Sequence, residues 1–189
     1  MLSMDDGEST IEDPGVIFST PEQDRSRARA MRILGSRQLS SREMERRLVD
    51  KGETEETARE TVRWMEEIGA IDDGSYAASI VRHYTGKSYG PARVRDELLR
   101  RGIPRDLWDG AWAALDEMGT DEVGIGEKGA DDPVHRFLEK KLGGSQDKGD
   151  LRRATDALCR RGYGYEEART ALSRYLETIE NTEKNEDEI

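Results

Sequence analysis

Hydrophobic positions repeat three times along the chain, each time in register with a glycine that ends a Leu-x-x-(Lys/Arg)-Gly stretch. Apolar residues stand eight and four positions before each glycine, and six, ten and thirteen positions after it. Steps of three and four are typical of one face of an α-helix. The glycine supplies the left-handed backbone conformation that ends a helix. The pattern therefore predicts two amphipathic helices around each of Gly52, Gly102 and Gly162.

Polar residues keep the same register and mark the predicted helix starts. Ser40, Gly90 and Asp150 each lie twelve residues before their glycine, where they suit an N-cap, and Ser40 with Glu43 forms a capping box. A further helix start is predicted 28 to 30 residues before each glycine, at Asp24, Asp73 and Asp132. Each repeat is thus three helices long, which predicts an all-α tandem array of three three-helix repeats in an elongated, curved molecule.

The repeats and the segments between them divide the chain into six parts. These are a disordered acidic tail (1–20), repeat 1 (21–69), repeat 2 (70–117), a flexible acidic linker (118–131), repeat 3 (132–177) and an acidic tail (178–189) that frays. Repeats 1 and 2 are expected to pack together because the joint between them is short. The longer linker predicts a hinge before repeat 3. The first two repeats are predicted to contain helices over 25–34, 41–51, 54–68, 73–86, 91–101 and 104–117.

Composition separates a basic body from acidic segments. The chain has 189 residues, of which 34% are hydrophobic and 38% charged, with a net charge of −11. Residues 1–24, 116–132 and 177–189 carry −7, −6 and −5, so the rest of the chain carries +7. No apolar run is long enough for a membrane span, and the N-terminus does not resemble a signal peptide, so we expect a cytoplasmic protein.

No catalytic, cofactor or metal site is predicted from the sequence. His83 and His135 have no His or Cys partner at metal-ligand spacing, and the only cysteine, Cys159, lies beside Leu158 as a packing residue. The acidic pairs 72–73 and 131–132 precede helices, where carboxylates cap free amides. Trp108 and Trp112 stand one turn apart as a core ridge, although the same spacing also suits a platform for stacked bases.

Basic residues on the second helices are the stronger functional signal. Repeated positive charge suits phosphates or an acidic protein surface, whereas a single Arg pair is more often only a solvated helix face. Within Leu98-Leu99-Arg100-Arg101-Gly102, Leu98 is predicted to be core and only Arg100 and Arg101 to be free to meet a partner. The candidate contact residues are Arg46, Arg47, Lys51, Arg93, Arg100, Arg101, Arg152, Arg153, Arg160 and Arg161.

The order and spacing of these segments resemble the RecX family, bacterial regulators of the RecA recombinase. The resemblance covers about residues 25–176, more loosely in repeat 3. It is carried by the stretches 34–44, 71–82, 89–103 and 158–168. The resemblance implies a non-enzymatic protein that binds RecA filaments on single-stranded DNA and mainly inhibits the ATPase, strand exchange and co-protease activities of RecA.

Two other interpretations remain open from the sequence. The basic body also suits a stand-alone helix-turn-helix-like DNA-binding module, with strongly salt-dependent binding in the absence of RecA. A purely structural scaffold, in which the arginines only solvate helix faces, is the second. The expected partners are the RecA filament and single- or double-stranded DNA bound weakly to moderately, with no membrane partner, no cofactor and a monomeric chain.

Overall fold

The computed structural model describes residues 20–117 and 132–187, which form helices and no strand. The predicted linker and most of the N-terminal tail lie outside these residues. A 3-10 turn, Arg105–Leu107, precedes the sixth helix. The helices are α1 Pro21–Leu34, α2 Ser41–Asp50, α3 Glu55–Glu67, α4 Asp73–Thr85, α5 Pro91–Arg100, α6 Trp108–Glu117, α7 Pro133–Leu142, α8 Lys148–Arg160 and α9 Tyr165–Asp187.

Three hydrophobic clusters divide the helices into α1–α3, α4–α6 and α7–α9. Every helix pair with extensive contacts belongs to one of these groups. The leucines four residues before the glycines, Leu48, Leu98 and Leu158, are fully buried. Trp108 and Trp112 are half-buried and pack against the second cluster. The all-α repeat fold predicted from the apolar register is therefore confirmed.

The predicted helix ends agree with the structure at most positions. The capping box of Ser40 and Glu43 is present, and Thr54 and Asp132 are N-caps. Gly52, Gly102 and Gly162 have φ angles of 93°, 73° and 94°, the left-handed backbone expected of a helix stop.

Two predicted helix starts are wrong. Helix α1 begins before Asp24, at Pro21, because Thr20 and Gln23 form a capping box that the sequence analysis did not detect. Helix α8 begins before Asp150, because the Asp147 side chain accepts hydrogen bonds from the amides of Gly149 and Asp150. Both helices are longer than predicted, since a better cap lies upstream.

The C-terminal helix continues beyond the predicted end of repeat 3. Helix α9 extends to Asp187, so residues 178–187 do not fray as predicted. Leu176 and Ile179 pack against the third hydrophobic cluster, which continues the apolar stripe past residue 177. Among the residues described, no helix is long and apolar enough to cross a membrane.

Repeats 1 and 2 meet where the start of α2 contacts the glycine turn of repeat 2. The Ser40 hydroxyl donates a hydrogen bond to the carbonyl oxygen of Arg101. The Ser41 amide donates to the Asp73 carboxylate at 2.9 Å, and burial raises the pKa of that carboxyl group. A Cβ on Gly102 would lie 2.7 Å from Cδ of Arg42. The expected packing of these two repeats is confirmed by these contacts.

Repeats 2 and 3 meet in a similar way, through backbone and side-chain hydrogen bonds. The amides of Gly90 and Ala92, at the start of α5, donate to the carbonyl oxygens of Arg161 and Gly162 at 2.8 and 3.1 Å. The Ser88 hydroxyl donates to the carbonyl oxygen of the first residue of α7. The hinge predicted before repeat 3 falls on residues 118–131, outside the described residues, and stays a prediction.

Replacement of Ser40 by alanine tests the first junction. Its hydroxyl both caps α2 and bonds the neighbouring repeat, so Ser40→Ala should lower the free energy of unfolding by about 2 kcal/mol. Thr54→Ala is the control, because the Thr54 hydroxyl bonds only within the first turn of α3. This control should cost about 1 kcal/mol. Urea unfolding measures both, and equal losses would argue against a role for Ser40 between repeats.

Candidate interaction groove

An open groove of about 720 Å³ lies between the second helices of repeats 1 and 2. We call it the α2–α5 groove and define it by Arg42, Arg46, Val49, Leu99 and Arg100, which all line it. The junction at Ser40 and Arg101 brings the two helices together, so the groove exists only when the two repeats are docked. A neighbouring depression of about 680 Å³ shares Arg42 and Leu99 with it.

Two apolar side chains of the groove are exposed to solvent. Leu99 is 56% and Val49 38% accessible to solvent. Leu99 follows the fully buried Leu98, so its position on α5 faces away from the core of repeat 2. The groove therefore offers apolar and charged groups side by side, which a partner segment with both kinds of group can contact.

The carboxylates around the groove already have partners in the chain itself. Glu45 and Glu55 pair with Arg59 at 3.4 and 3.0 Å. Glu43 pairs with Arg37 and Arg101 at 3.5 and 3.8 Å. Each of these carboxylates therefore has a cationic partner within the chain, although Glu45 and Glu55 share Arg59.

Unlike these carboxylates, the guanidinium groups of Arg42 and Arg46 have no charged partner among the residues described. Both side chains are exposed and lie one turn apart on α2. Among the residues described, neither has an ion pair or a side-chain hydrogen bond. The unused donors of the groove are therefore cationic, so it suits a carboxylate or phosphate ligand.

Beneath the groove, an ion network joins the two repeats. Glu97, which is 4% exposed, accepts hydrogen bonds from the guanidinium groups of Arg100 and Arg101. These bonds, those of Arg100 above all, lower the pKa of Glu97 to about 2. Arg101 also donates to the Tyr76 hydroxyl at 2.7 Å and approaches Glu43 across the junction.

The ion pairs of Glu97 make the stability of the fold depend on pH. The pKa of Glu97 lies below its ordinary 4.5, so its full contribution to stability is present above pH 4.5 and is lost as pH falls towards 2. The contribution is about 3 kcal/mol. Glu97→Gln should therefore lower the unfolding free energy at pH 7 and flatten its decline between pH 4.5 and 2. Urea unfolding across this range measures both effects, and parallel pH curves for the two proteins would contradict the assignment.

The structure corrects the prediction that Arg101 is free to meet a partner. Its side chain is only 21% exposed and is held by Glu97, Glu43 and Tyr76. Arg100 is 63% exposed and lines the groove, although it also pairs with Glu97. The two arginines therefore differ in role: Arg101 joins the repeats and Arg100 reaches the surface.

Arg161 occupies the position in repeat 3 that Arg101 occupies in repeat 2. Its guanidinium lies 4.2 Å from the ring centre of Phe137 and 5.0 Å from that of Tyr89. It donates a hydrogen bond to the carbonyl oxygen of Lys87 at 2.7 Å. Lys51 is the equivalent residue in repeat 1. No repeat precedes repeat 1 in the described part of the chain, and the Lys51 side chain is exposed.

The other predicted contact residues lie at the groove, at the junction of repeats 2 and 3, and on the surface of α8. Arg46 lines the groove, whereas Arg47 is half-buried on the same helix. The backbone of Arg93 packs against Gly162 at the second junction. Arg153 pairs with Asp150, and Arg152 and Arg160 are exposed on α8. The α8 arginines do not line the α2–α5 groove, so a contact role for them stays a prediction.

The residues that the sequence offered as candidates for catalysis or metal binding lie at helix caps, in hydrophobic packing or on the surface. Asp72 caps α4, and its hydrogen bonds from Ser75 lower its pKa. Cys159 packs against the third hydrophobic cluster. His83 is exposed, and the ring of His135 lies against Tyr175 at 5.0 Å. In the described ranges, no three His, Cys, Asp or Glu side chains are placed to hold a metal ion.

Arg42 is the groove residue that the sequence analysis missed. It does not belong to an arginine pair, and most of the candidates were chosen as pairs. A usable signal was its register, since Arg42 lies ten residues before Gly52, as Arg152 does before Gly162. The exposure of Arg42 can be predicted from the helical periodicity. Its proximity to Leu99 cannot, because it depends on how repeats 1 and 2 pack together.

The repeats and the groove define a class of protein, a tandem array of three-helix units with a groove between two of them. Residues 72–111 match the family model for the second three-helix domain of RecX. The chain belongs to the RecX family. It is 31% identical to regulatory protein RecX of Xanthomonas citri over 152 residues, which cover 79% of this chain and 86% of the relative.

Further comparisons agree in sequence and in fold. Regulatory protein RecX of Stenotrophomonas maltophilia is 33% identical over 147 residues, covering 78% of this chain and 84% of the relative. The crystal structure of RecX from Lactobacillus salivarius has a TM-score of 0.66 at 17% identity, covering 82% of this chain and 96% of that one. A second RecX crystal structure has a TM-score of 0.61, also at 17% identity, and covers 80% of this chain and 72% of that one.

Proposed function

We propose that this chain is a non-enzymatic regulator that binds RecA filaments on single-stranded DNA and restrains their ATPase, strand-exchange and co-protease activities. Membership in the RecX family supports the choice of RecA as the partner. The observation that carries the proposal is the α2–α5 groove, where Arg42 and Arg46, without an ion pair among the described residues, lie beside the exposed Leu99. A filament presents the same site many times, so an array with several contacts gains affinity from multivalency.

The chemistry of the groove favours a protein segment as its occupant. A DNA backbone offers phosphates to arginines but nothing apolar to Val49 and Leu99. A segment with carboxylates and apolar side chains would satisfy both kinds of group. The contacts with RecA therefore lie at the groove, with Arg100 at its α5 side and the α8 arginines as additional basic contacts.

The test is the DNA-dependent ATPase of the cognate RecA with the full chain added at substoichiometric and equimolar amounts. We expect ATP hydrolysis to fall already below one chain per RecA, because a chain bound across neighbouring subunits affects more than one of them. Unchanged hydrolysis, together with unchanged filament assembly and disassembly, would refute the proposal.

A stand-alone DNA-binding module is the alternative, favoured by the positive charge of the body. It predicts tight binding to DNA without RecA, with an affinity that falls steeply between 50 and 200 mM salt, by about 10³-fold or more. The filament proposal predicts only weak to moderate DNA binding under the same conditions. Fluorescence anisotropy of labelled single- and double-stranded DNA distinguishes the two.

A further inference from the structure

The N-terminal segment, residues 1–19, has a composition that complements the α2–α5 groove. It lies outside the described residues. It contains five acidic residues and neither Lys nor Arg, and it ends near an apolar run, Val16-Ile17-Phe18. Carboxylates and large apolar side chains thus occur together within one short stretch. The acidic residues are Asp5, Asp6, Glu8, Glu12 and Asp13.

The groove combines cationic side chains with exposed apolar ones, which complement the carboxylates and apolar residues of the N-terminal segment. Arg42 and Arg46 have no acidic partner among the residues described, whereas the groove carboxylates pair within the chain. Val49 and Leu99 are 38% and 56% exposed. An acidic segment that also carries apolar residues would cover these side chains and pair the two guanidinium groups.

The point of attachment lies within reach of the groove. Thr20, the first described residue, caps α1, and Gln23 in the first turn donates a hydrogen bond to Glu60 on α3 at 3.0 Å. The preceding residue of α3, Arg59, pairs with Glu45 at 3.4 Å, and Glu45 lines the groove. Nineteen extended residues span up to about 60 Å, which exceeds the width of these few side chains and helices.

The other acidic parts of the chain are less suited to the groove. The acids after residue 177 belong to α9 as far as Asp187 and have no comparable apolar run beside them. The segment 118–131 is fixed at both ends, by repeats 2 and 3, and its longest apolar stretch is a single residue between polar or glycine neighbours. The N-terminal segment, in contrast, carries both acids and an apolar run and joins the described residues at Thr20.

We propose that residues 1–19 bind the α2–α5 groove of the same chain and compete there with an acidic, apolar segment of the protein partner. A tethered segment acts at an effective concentration of about 1 mM, so a weak contact is enough for substantial occupancy. The competition with RecA rests on the proposed function, whereas binding of the segment to the groove does not.

The experiment uses a fluorescently labelled synthetic peptide of residues 1–19 and two full-length chains. One chain is unaltered, and the other carries Asp5→Asn, Asp6→Asn, Glu8→Gln, Glu12→Gln and Asp13→Asn. Fluorescence anisotropy at low salt should show binding of the peptide to the neutralised chain. Binding to the unaltered chain should be about tenfold weaker, because its own segment occupies the groove.

Two further variants of the neutralised chain locate the binding site. Arg42→Gln with Arg46→Gln should abolish peptide binding, while glutamine at position 42 keeps the Cβ and Cγ atoms that pack beside Gly102. Lys140→Gln with Lys141→Gln removes the same charge from exposed positions on α7 and should leave binding intact. Far-UV circular dichroism checks that each variant is folded.

Three results would overturn the proposal: no peptide binding to the neutralised chain, equal binding to both chains, or binding that survives the loss of Arg42 and Arg46. RecA is absent from the assay, so these results leave the proposed function untouched. If the peptide result holds, the neutralised chain should also inhibit the RecA ATPase at a lower concentration than the unaltered chain.

Discussion

Replacement of Gly90 by alanine should separate repeat 3 from repeat 2 while leaving both repeats folded. A Cβ at this position would lie 2.4 Å from the carbonyl carbon and oxygen of Gly162 and from the amide nitrogen of Tyr163. These are backbone atoms held in a helix-ending turn, so they cannot move aside as the end of a side chain can. The conflict and the loss of two backbone hydrogen bonds should cost the junction about 3 kcal/mol or more.

Amide hydrogen exchange detects this loss locally. The amide of Ala92, which donates across the junction, should exchange much faster in the variant, whereas the amides of Leu98 and Leu158 should stay protected within their repeats. Gly110→Ala is the control, because Gly110 lies in α6 and a Cβ there meets nothing within 4 Å. This control should stabilise the helix by about 0.5 to 1 kcal/mol. Unchanged protection of Ala92 in Gly90→Ala would contradict the junction described above.

The second large effect is expected at the groove. Arg42→Gln with Arg46→Gln should weaken binding to RecA filaments about tenfold to a hundredfold, since each lost charge-assisted contact is worth about 1.5 kcal/mol. The fold should be retained, because neither guanidinium has an ion pair in the described part of the chain. Inhibition of the RecA ATPase at increasing concentrations of the variant measures the shift.

The matched control removes the same charge elsewhere. Lys140→Gln with Lys141→Gln on α7 lowers the net charge by two without touching the groove, so any general electrostatic effect appears in both double variants. We expect this control to inhibit within about twofold of the unaltered chain. Equal losses in the two double variants would mean that net charge, and not the α2–α5 groove, determines binding.

Most of the fold could be predicted from the sequence, because buried positions and helix ends depend on residues close together in the chain. Burial of Leu48, Leu98 and Leu158 follows from helical periodicity, and the positive φ angles of their glycines follow from the need to end a helix. Errors of this kind were limited to helix ends, as at Asp150, where a competing cap three residues upstream fixes the start of α8.

The junctions were not accessible because they depend on contacts between residues about sixty to seventy positions apart. Gly90 looked like an ordinary N-cap, yet its missing side chain is what admits the turn at Gly162. Arg101 looked like half of a surface pair, yet it is held by Glu43 of the preceding repeat. A helical pattern shows which face of a helix is polar, but not which polar groups meet the next repeat.

The central claim is that this chain binds RecA filaments in preference to their components. Biolayer interferometry with immobilised single-stranded DNA tests it directly, first bare and then coated with RecA held by a non-hydrolysable ATP analogue. At 150 mM salt the chain should bind the coated DNA about tenfold or more tightly than bare DNA, because a filament offers repeated protein sites as well as phosphates. Equal or weaker binding to the coated DNA would contradict the account.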